Sequence, residues 1–185
     1  AQIVAEELDV AVERVAVLMG DTASSCNQGG ASSALGIQAG AKPLRNAAAE
    51  ARRILVDMAS KRLGVPARQL SVSDGVVAAT ADTSKRVSYA ELIGGRKFGS
   101  KVEWNKRIGN QMDIRVRATP KPPSEYKVVG KSVPRRDVAW KVFGTGDYVT
   151  EISVPNMLHA RVVRPTQAGC VPVSVEEGSI RTIGG

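Results

Sequence analysis

The stretch GAKPLRNAAAEARRILVDMASKRL, residues 40–63, decides the fold of this chain. Its apolar residues recur every three or four positions, which is the period of a helix with one buried face. They are Leu44, Ala48, Ala51, Leu55 and Met58. Pro43 is tolerated in a first turn, and Gly64 followed by Pro66 ends the pattern. The sequence therefore predicts a long amphipathic helix that buries small apolar side chains against another layer.

The residues after this helix predict a small sheet and a second helix. Residues 70–79, LSVSDGVVAA, place an Asp-Gly pair between two β-type runs, which is a strong hairpin signal. Ser88 is followed three positions later by Glu91, as in a capping box at the start of a helix. We therefore expect an α+β fold with helices on a small β-sheet.

The residues before the long helix predict a helix end and a strand. Residues 1–9 have the apolar spacing of a helix, and they begin at Ala1 without a cap, so we expect a segment upstream. Residues 14–19, RVAVLM, form a short apolar run typical of a buried strand.

The second part of the chain predicts a boundary followed by a β-rich region. Residues 96–127 lack a clear period, and the prolines of TPKPP at 119–123 favour an extended linker. Four short β-type runs follow, at 126–130, 146–152, 157–164 and 172–176. Four short strands with unpaired edges would not complete a β domain. We expect a division into residues 1–118, a linker at 119–127, and residues 128–185.

Composition excludes several classes of protein. Apolar residues make up 43% and charged residues 24%, as in ordinary globular domains. The two cysteines, Cys26 and Cys170, lie far apart without a CxxC or a Cys/His cluster, which argues against a zinc or iron–sulfur site. No apolar run approaches the ~20 residues that span a membrane, and no signal peptide is visible.

Positive charge is concentrated in the middle of the chain. Residues 85–141 contain 15 Lys and Arg against 5 acidic residues, a net of +10, while the whole chain carries +8. Such a stretch can attract nucleic acid or an anionic membrane, but it lacks the interleaved aromatics of a stacking surface. We favour a solvated or partner-facing surface and no nucleic-acid binding.

The chemistry-bearing residues are few. His159 is the only histidine, and the sequence contains no phosphate-binding loop, no HExxH and no nucleophile motif, so we predict no catalytic and no metal-ligating residue. Residues 22–33, TASSCNQGGASS, form a small, polar, glycine-containing loop. Such a loop is either a flexible connection or a cradle that brings backbone N–H groups close to a ligand.

Two regions resemble the large subunits of the aldehyde oxidase/xanthine dehydrogenase family. The first combines the initial helix, Met19-Gly20-Asp21-Thr22 and the Gly/Ser loop before an Ala-rich helix, and it resembles the molybdopterin-binding region. The second, residues 129–165, resembles the opening of the α/β hammerhead domain. The order of the two regions and PPSEY at 122–126 are similar to the branch that contains the β-subunits of isoquinoline 1-oxidoreductase.

The resemblance implies a function for the whole subunit rather than for this piece. The family hydroxylates N-heteroaromatics or aldehydes with oxygen from water, and it passes electrons to a small subunit with two [2Fe-2S] clusters. In bacterial members the cofactor is typically molybdopterin cytosine dinucleotide with molybdenum. A cytochrome can accept the electrons, and the protein works in the periplasm or the cytoplasm, with any export signal outside these residues. We expect a fragment that retains no cofactor and is inactive alone.

The resemblance also assigns candidate cofactor-binding residues. They are Gly29, Gly30, Ser32 and Ser33 in the loop, and Gln38 beyond it. The family's catalytic glutamate and its Gly-Gln-Gly segment are expected outside these residues. A non-catalytic binding or assembly module with a basic partner-facing surface is the alternative.

Overall fold

The long predicted helix forms the centre of the first part of the structure. The computed structural model describes residues 1–27, 29–31, 33–97 and 99–183. Helices α1 and α2 span Gln2–Leu8 and Leu35–Gln38, and α3 spans Ala41–Leu63. The predicted helix is confirmed, and it ends at Gly64, whose φ of 66° is the left-handed conformation of a glycine C-cap. Of the predicted apolar stripe, Ala48 and Leu55 are buried, whereas Leu44 is 46% exposed.

A three-stranded antiparallel sheet follows α3. Its strands are β1 (Leu70–Ser73), β2 (Val76–Ala79) and β3 (Arg86–Ser88), with β2 in the middle. The predicted hairpin is confirmed. Asp74 and Gly75 have φ values of 46° and 72°, and two successive left-handed residues give a turn whose twist matches that of paired strands.

The core lies between α3 and this sheet. Leu55 and Ala59 of α3 pack against Val77 and Val87 of the sheet, and Tyr89 completes the cluster. Residues of β1 and β2 alternate between more and less buried positions, so one face of the hairpin is turned to α3. The predicted α+β arrangement of helices on a small sheet is therefore observed.

The short helix after the sheet is also confirmed. Helix α4 spans Tyr89–Ile93, and the Ser88 hydroxyl accepts the Glu91 backbone N–H at 3.2 Å. The Glu91 carboxylate accepts the Ser88 backbone N–H at 2.7 Å in return. The capping box expected from the sequence is thus present in both directions.

The predicted strand at residues 14–19 is not formed. The chain leaves α1 at Asp9 and makes a 3-10 turn at Val12–Arg14. It then runs without regular structure, and Leu18 and Met19 are 74% and 82% exposed. A strand needs backbone partners, and within the described residues no segment pairs with this run.

The region without periodicity contains a second, very small sheet. Strands β4 (Glu103–Trp104) and β5 (Ile114–Arg115) pair antiparallel. Two-residue strands are too short to produce an alternating pattern, so the sequence did not predict them.

Contacts group Ala1–Ser132 into one compact unit and Val133–Gly185 into another. In the described part of the second unit, residues 133–183, helix α5 (Val138–Val142) and a 3-10 turn at Glu177–Ser179 are formed, but no strand is. Residues 126–130, which belong to the first unit, form bends and a turn instead of a strand. The four strands predicted from residue 126 onwards are therefore wrong for this structure. The division at residues 118 and 128 stays a prediction.

The reason is visible in the exposure of the second unit. Val163 and Val173 are 94% and 99% exposed, so the apolar side chains of these runs are not buried against other described residues. Without burial or backbone pairing, β-type residues do not form strands on their own.

Shortening Val77 tests the position of the core. Val77 is fully buried between α3 and the sheet, so Val77→Ala should lower the free energy of unfolding by about 2 kcal/mol. Val173→Ala, the same change at a 99% exposed residue, should leave it unchanged. Urea unfolding followed by circular dichroism compares the two, and equal stability of the two variants would contradict the core described here.

Candidate functional site

The Gly/Ser loop is shaped by local hydrogen bonds. The Asp21 carboxylate accepts the Ala23 backbone N–H at 2.8 Å and the Ser24 hydroxyl at 2.7 Å. These bonds, led by that of Ser24, hold the pKa of Asp21 below its ordinary value. Further on, the Gly29 N–H donates to the Asn27 side chain at 2.9 Å. Residues 22–25 therefore form a defined turn, and most of the described side chains of the loop are exposed.

Gly29 is required by a close approach of two backbone segments. A Cβ at Gly29 would lie 2.8 Å from the Gly109 Cα, and the φ of Gly29 is 78°. Both facts exclude a larger residue without movement of one segment. A Cβ at Gly30, in contrast, would meet no atom within 4 Å.

The loop borders a cavity of about 380 Å³. Residues 29–31 contribute backbone to its wall, together with α2, the first turns of α3 and the turn at residues 109–114. Apolar side chains make up much of the remaining wall, including Pro43, Leu44, Met112 and Ile114. The cavity therefore combines bare glycine backbone with an apolar surface.

The start of α3 adds a partial positive charge to this cavity. Gly40 is the N-cap residue and lines the cavity, and among the described residues no side chain caps the helix. The first N–H groups of a helix point outward and attract anions. A Cβ at Gly40 would lie 2.8 Å from the Gly36 carbonyl oxygen, so a glycine is needed where α2 meets α3.

The structure divides the predicted site residues into separate groups. Gly29 and Gly30 line the first cavity, whereas Gln38 lines a second cavity of about 320 Å³ together with Arg45 and Tyr126. Ser33 is exposed and lies just before α2 with a left-handed φ of 45°. Ser32 lies outside the described residues.

A buried carboxylate holds the wall of the second cavity in place. Glu6 is only 2% exposed, and its carboxylate accepts the backbone N–H groups of Lys127, Val128 and Val129 at 3.0, 2.6 and 2.8 Å. Burial raises the pKa of Glu6, but these three bonds and the nearby Lys121 ammonium outweigh burial and leave the pKa below its ordinary value.

Glu7 and Asp9 extend this arrangement along α1. The Glu7 carboxylate accepts the Arg45 Nε–H at 2.7 Å and the Lys121 backbone N–H at 3.2 Å. The Lys121 ammonium donates to Asp9 at 2.5 Å and to the Glu6 carbonyl at 2.6 Å. Arg45 also donates to the Lys121 carbonyl and lies 4.9 Å from the centre of the Tyr126 ring.

Glu50 binds the same segment from α3. Its carboxylate accepts the backbone N–H groups of Arg117 and Ala118 at 3.0 and 2.9 Å, and the Arg53 side chain at 2.7 Å. The hydrogen bond from Arg53 is the main reason why the pKa of Glu50 is below its ordinary value. We call the carboxylates of Glu6, Glu7 and Glu50 the acidic clamp.

Sequence reasoning did not find the acidic clamp. It places residues 119–127 in a linker, whereas Lys121 and Lys127 are held to α1 by this network. The one signal in the sequence was that Glu6 and Glu7 follow Ala5 in a predicted helix with apolar side chains. The structure shows that Ala5 is fully buried. Acidic residues on a buried helix face require hydrogen-bond partners elsewhere in the chain.

The described residues contain no metal site and no spanning helix. No group of three or more His, Cys, Asp and Glu side chains is placed to hold a metal ion in residues 1–27, 29–31, 33–97 and 99–183. In the same ranges, no helix has both the length and the apolar character needed to cross a membrane.

The comparison with known families identifies the class of this chain. Residues 1–131 match the family described as "Molybdopterin cofactor-binding domain". The chain therefore belongs to this family, among the molybdopterin-binding large subunits of the xanthine oxidase family. The resemblance stated from the sequence is confirmed.

Two relatives are similar over most of this chain. One subunit of the nicotinate dehydrogenase of Pseudomonas putida is 41% identical over 169 residues, which are 91% of this chain and 13% of the relative. The beta subunit of the isoquinoline 1-oxidoreductase of Brevundimonas diminuta is 32% identical over 162 residues, 77% of this chain and 21% of the relative. The chain thus spans a small part of the length of each relative.

The acidic clamp predicts acid-sensitive stability. Because the Glu6 pKa is below its ordinary value of 4.5, its contribution to folding is fully present above pH 4.5 and is lost as the pH falls further. Glu6→Gln should lower the free energy of unfolding at neutral pH by about 2–3 kcal/mol and flatten its decline in acid. Glu13→Gln, at an exposed glutamate, should change neither quantity. Urea titrations between neutral and acidic pH measure both, and an unchanged acid profile in Glu6→Gln would contradict the clamp.

The contact between Gly29 and Gly109 predicts a difference between two adjacent glycines. Gly29→Ala should displace the loop and lower the free energy of unfolding by about 1 kcal/mol or more, because the φ and the contact both exclude a Cβ. Gly30→Ala should be tolerated, since its Cβ meets open space. Limited proteolysis of the loop provides the second readout, with faster cleavage expected for Gly29→Ala alone. Equal cleavage of both variants would speak against the close approach.

Proposed function

We propose that this chain forms one wall of the molybdopterin-binding site in the large subunit of a molybdenum hydroxylase. The observation that carries the proposal is the cavity of about 380 Å³ between the Gly/Ser loop and the start of α3. Membership of the molybdopterin-binding family supports it over residues 1–131. The cavity lies within that matched region.

The residues around this cavity fit an anionic cofactor. Gly30 leaves backbone exposed beside the cavity, and a backbone N–H there is a suitable donor to phosphate or pterin oxygens. Gly29, whose own N–H is held by Asn27, would shape the loop around the cofactor. The uncapped start of α3 favours negative charge at the same place. We propose that Ser32 and Ser33 add hydroxyl donors to this set.

Gln38 has a separate part in this proposal. It lines the second cavity, so it would contact a portion of the cofactor that lies away from the glycine loop. In a dinucleotide form of the cofactor, with cytosine as its base, the nucleotide would be the portion that Gln38 contacts. The acidic clamp would act indirectly, by holding Tyr126 and Val129 in the wall of this cavity.

The activity that we propose belongs to a longer protein. When bound, the molybdenum cofactor supplies a two-electron oxidation in which water provides the oxygen. We propose that the whole subunit hydroxylates an N-heteroaromatic compound or an aldehyde. The names of the two relatives, nicotinate dehydrogenase and isoquinoline 1-oxidoreductase, support the N-heteroaromatic class.

The remaining parts of the enzyme are proposals of the same kind. Electrons would pass to a small [2Fe-2S] subunit and then to a cytochrome, and the protein would work in a bacterial periplasm or cytoplasm. Residues 128–185 would become the start of an α/β hammerhead domain once the rest of the large subunit supplies strand partners. The isolated 185 residues would neither retain the cofactor nor turn over substrate.

A substitution at Gly30 tests the proposed site. Gly30→Leu adds a side chain beside the cavity at a position where the Cβ meets no atom within 4 Å. In the protein expressed from its complete reading frame, this variant should lose most of its bound molybdenum and cytidine nucleotide. Elemental analysis and nucleotide release measure the two contents.

Gly99→Leu is the matched control. Gly99 also has open space around its Cβ position, and it lies away from the loop in another groove. This variant should keep its molybdenum. Full molybdenum and nucleotide content in folded Gly30→Leu would refute the proposed wall.

A further inference from the structure

We propose that the groove between α3 and α4 binds an acidic, partly apolar segment of a partner protein. This α3–α4 groove has a volume of about 720 Å³. Its walls come from the second half of α3, the end of α4 and the residues that follow α4. It shares Arg53 and Asp57 with a neighbouring cavity but none of the residues proposed to bind the cofactor.

The α3–α4 groove carries a net positive charge. Four cationic side chains line it, against two carboxylates, which leaves a net charge of +2. The cations are Arg53, Lys61, Arg96 and Lys97, and the carboxylates are Asp57 and Glu91. Arg96 and Lys97 belong to the basic stretch at residues 85–141, for which the sequence favours a solvated or partner-facing surface.

Both carboxylates are already engaged inside the fold. Asp57 accepts Arg53 Nη1 at 2.5 Å, and Glu91 is held in the capping box by the Ser88 backbone N–H at 2.7 Å. Lys61, Arg96 and Lys97, in contrast, form no ion pair with any described residue. Their positive charges are therefore available to a ligand in the groove, and carboxylates are the complementary groups.

The floor of the α3–α4 groove is apolar. Ile54 and Met58 from α3 and Leu92 and Ile93 from α4 line it, and all four are half-buried. An apolar floor with a cationic rim fits a peptide segment in which carboxylates flank apolar side chains. Nucleic acid fits less well, because the described lining contains no aromatic side chain on which a base could stack.

The rim can be tested by charge reversal. A fluorescein-labelled peptide of alternating Glu and Leu is titrated into the protein expressed from its complete reading frame, with anisotropy as the readout. The combined variant Lys61→Glu, Arg96→Glu and Lys97→Glu should weaken binding about tenfold or more, since three attractive pairs become repulsive. Binding to the unchanged protein should weaken as ionic strength rises past about 0.1 M.

A matched variant distinguishes an effect of the groove residues from an effect of the net charge of the protein. Arg161→Glu, Arg164→Glu and Arg181→Glu make the same change in net charge at exposed residues of the second unit, and they should leave the affinity unchanged. Equal losses in both triple variants would overturn the proposal, because binding would then follow net charge alone.

The floor and the class of partner need two further measurements. Met58→Ser should weaken binding of the Glu/Leu peptide but not of poly-glutamate, because only the former has side chains for the floor. Duplex DNA and phosphatidylserine vesicles are titrated in parallel. If either binds more tightly than the Glu/Leu peptide and loses affinity in the groove variant, the partner is a nucleic acid or a membrane and the proposal fails.

Discussion

The structure depends on buried carboxylates that accept backbone N–H groups from a distant part of the chain. Glu6 binds three consecutive backbone groups, those of Lys127, Val128 and Val129, although more than 120 residues separate them. Each hydrogen bond to a charged acceptor contributes roughly 1.5–3 kcal/mol, and leaving such a carboxylate unpaired in the interior would cost more. The segment from Arg117 to Val129 has no long helix or strand of its own, so its position is determined by these contacts.

This constraint connects the fold to the proposed site. The α3 helix packs against the sheet with one face and contributes to both cavities with its first turns. The acidic clamp then brings the 117–129 segment against α1 and α3, where Tyr126 and Val129 complete the second cavity. The glycine loop is positioned differently, through the contact of Gly29 with Gly109. Charge-assisted hydrogen bonds thus hold the wall of the second cavity in place. The wall of the first cavity depends instead on glycines, which have no side chain.

The features that were predicted correctly have local signals. The helix period of α3, the Asp-Gly turn at Asp74 and the Ser88–Glu91 capping box each depend on residues a few positions apart. The failures concern segments whose structure requires distant partners. Residues 14–19 and the runs after 126 have β-type composition, but strand formation depends on a neighbouring strand and on burial, and neither is supplied within the described residues.

The sequence by itself determined the α3 helix, the hairpin and the family, and it identified the Gly/Ser loop as a candidate cofactor-binding segment. Helix periodicity, turn chemistry and motif order each depend on residues that are close together in the sequence. Only the tertiary structure decided that Gly30 and Gln38 line different cavities. It also decided that Glu6 and Glu7 are anchors for a distant segment and that the basic residues around Lys61 border a groove. These facts depend on which parts of the chain meet in space, and a buried carboxylate gives no indication in the sequence of which backbone groups it will bind.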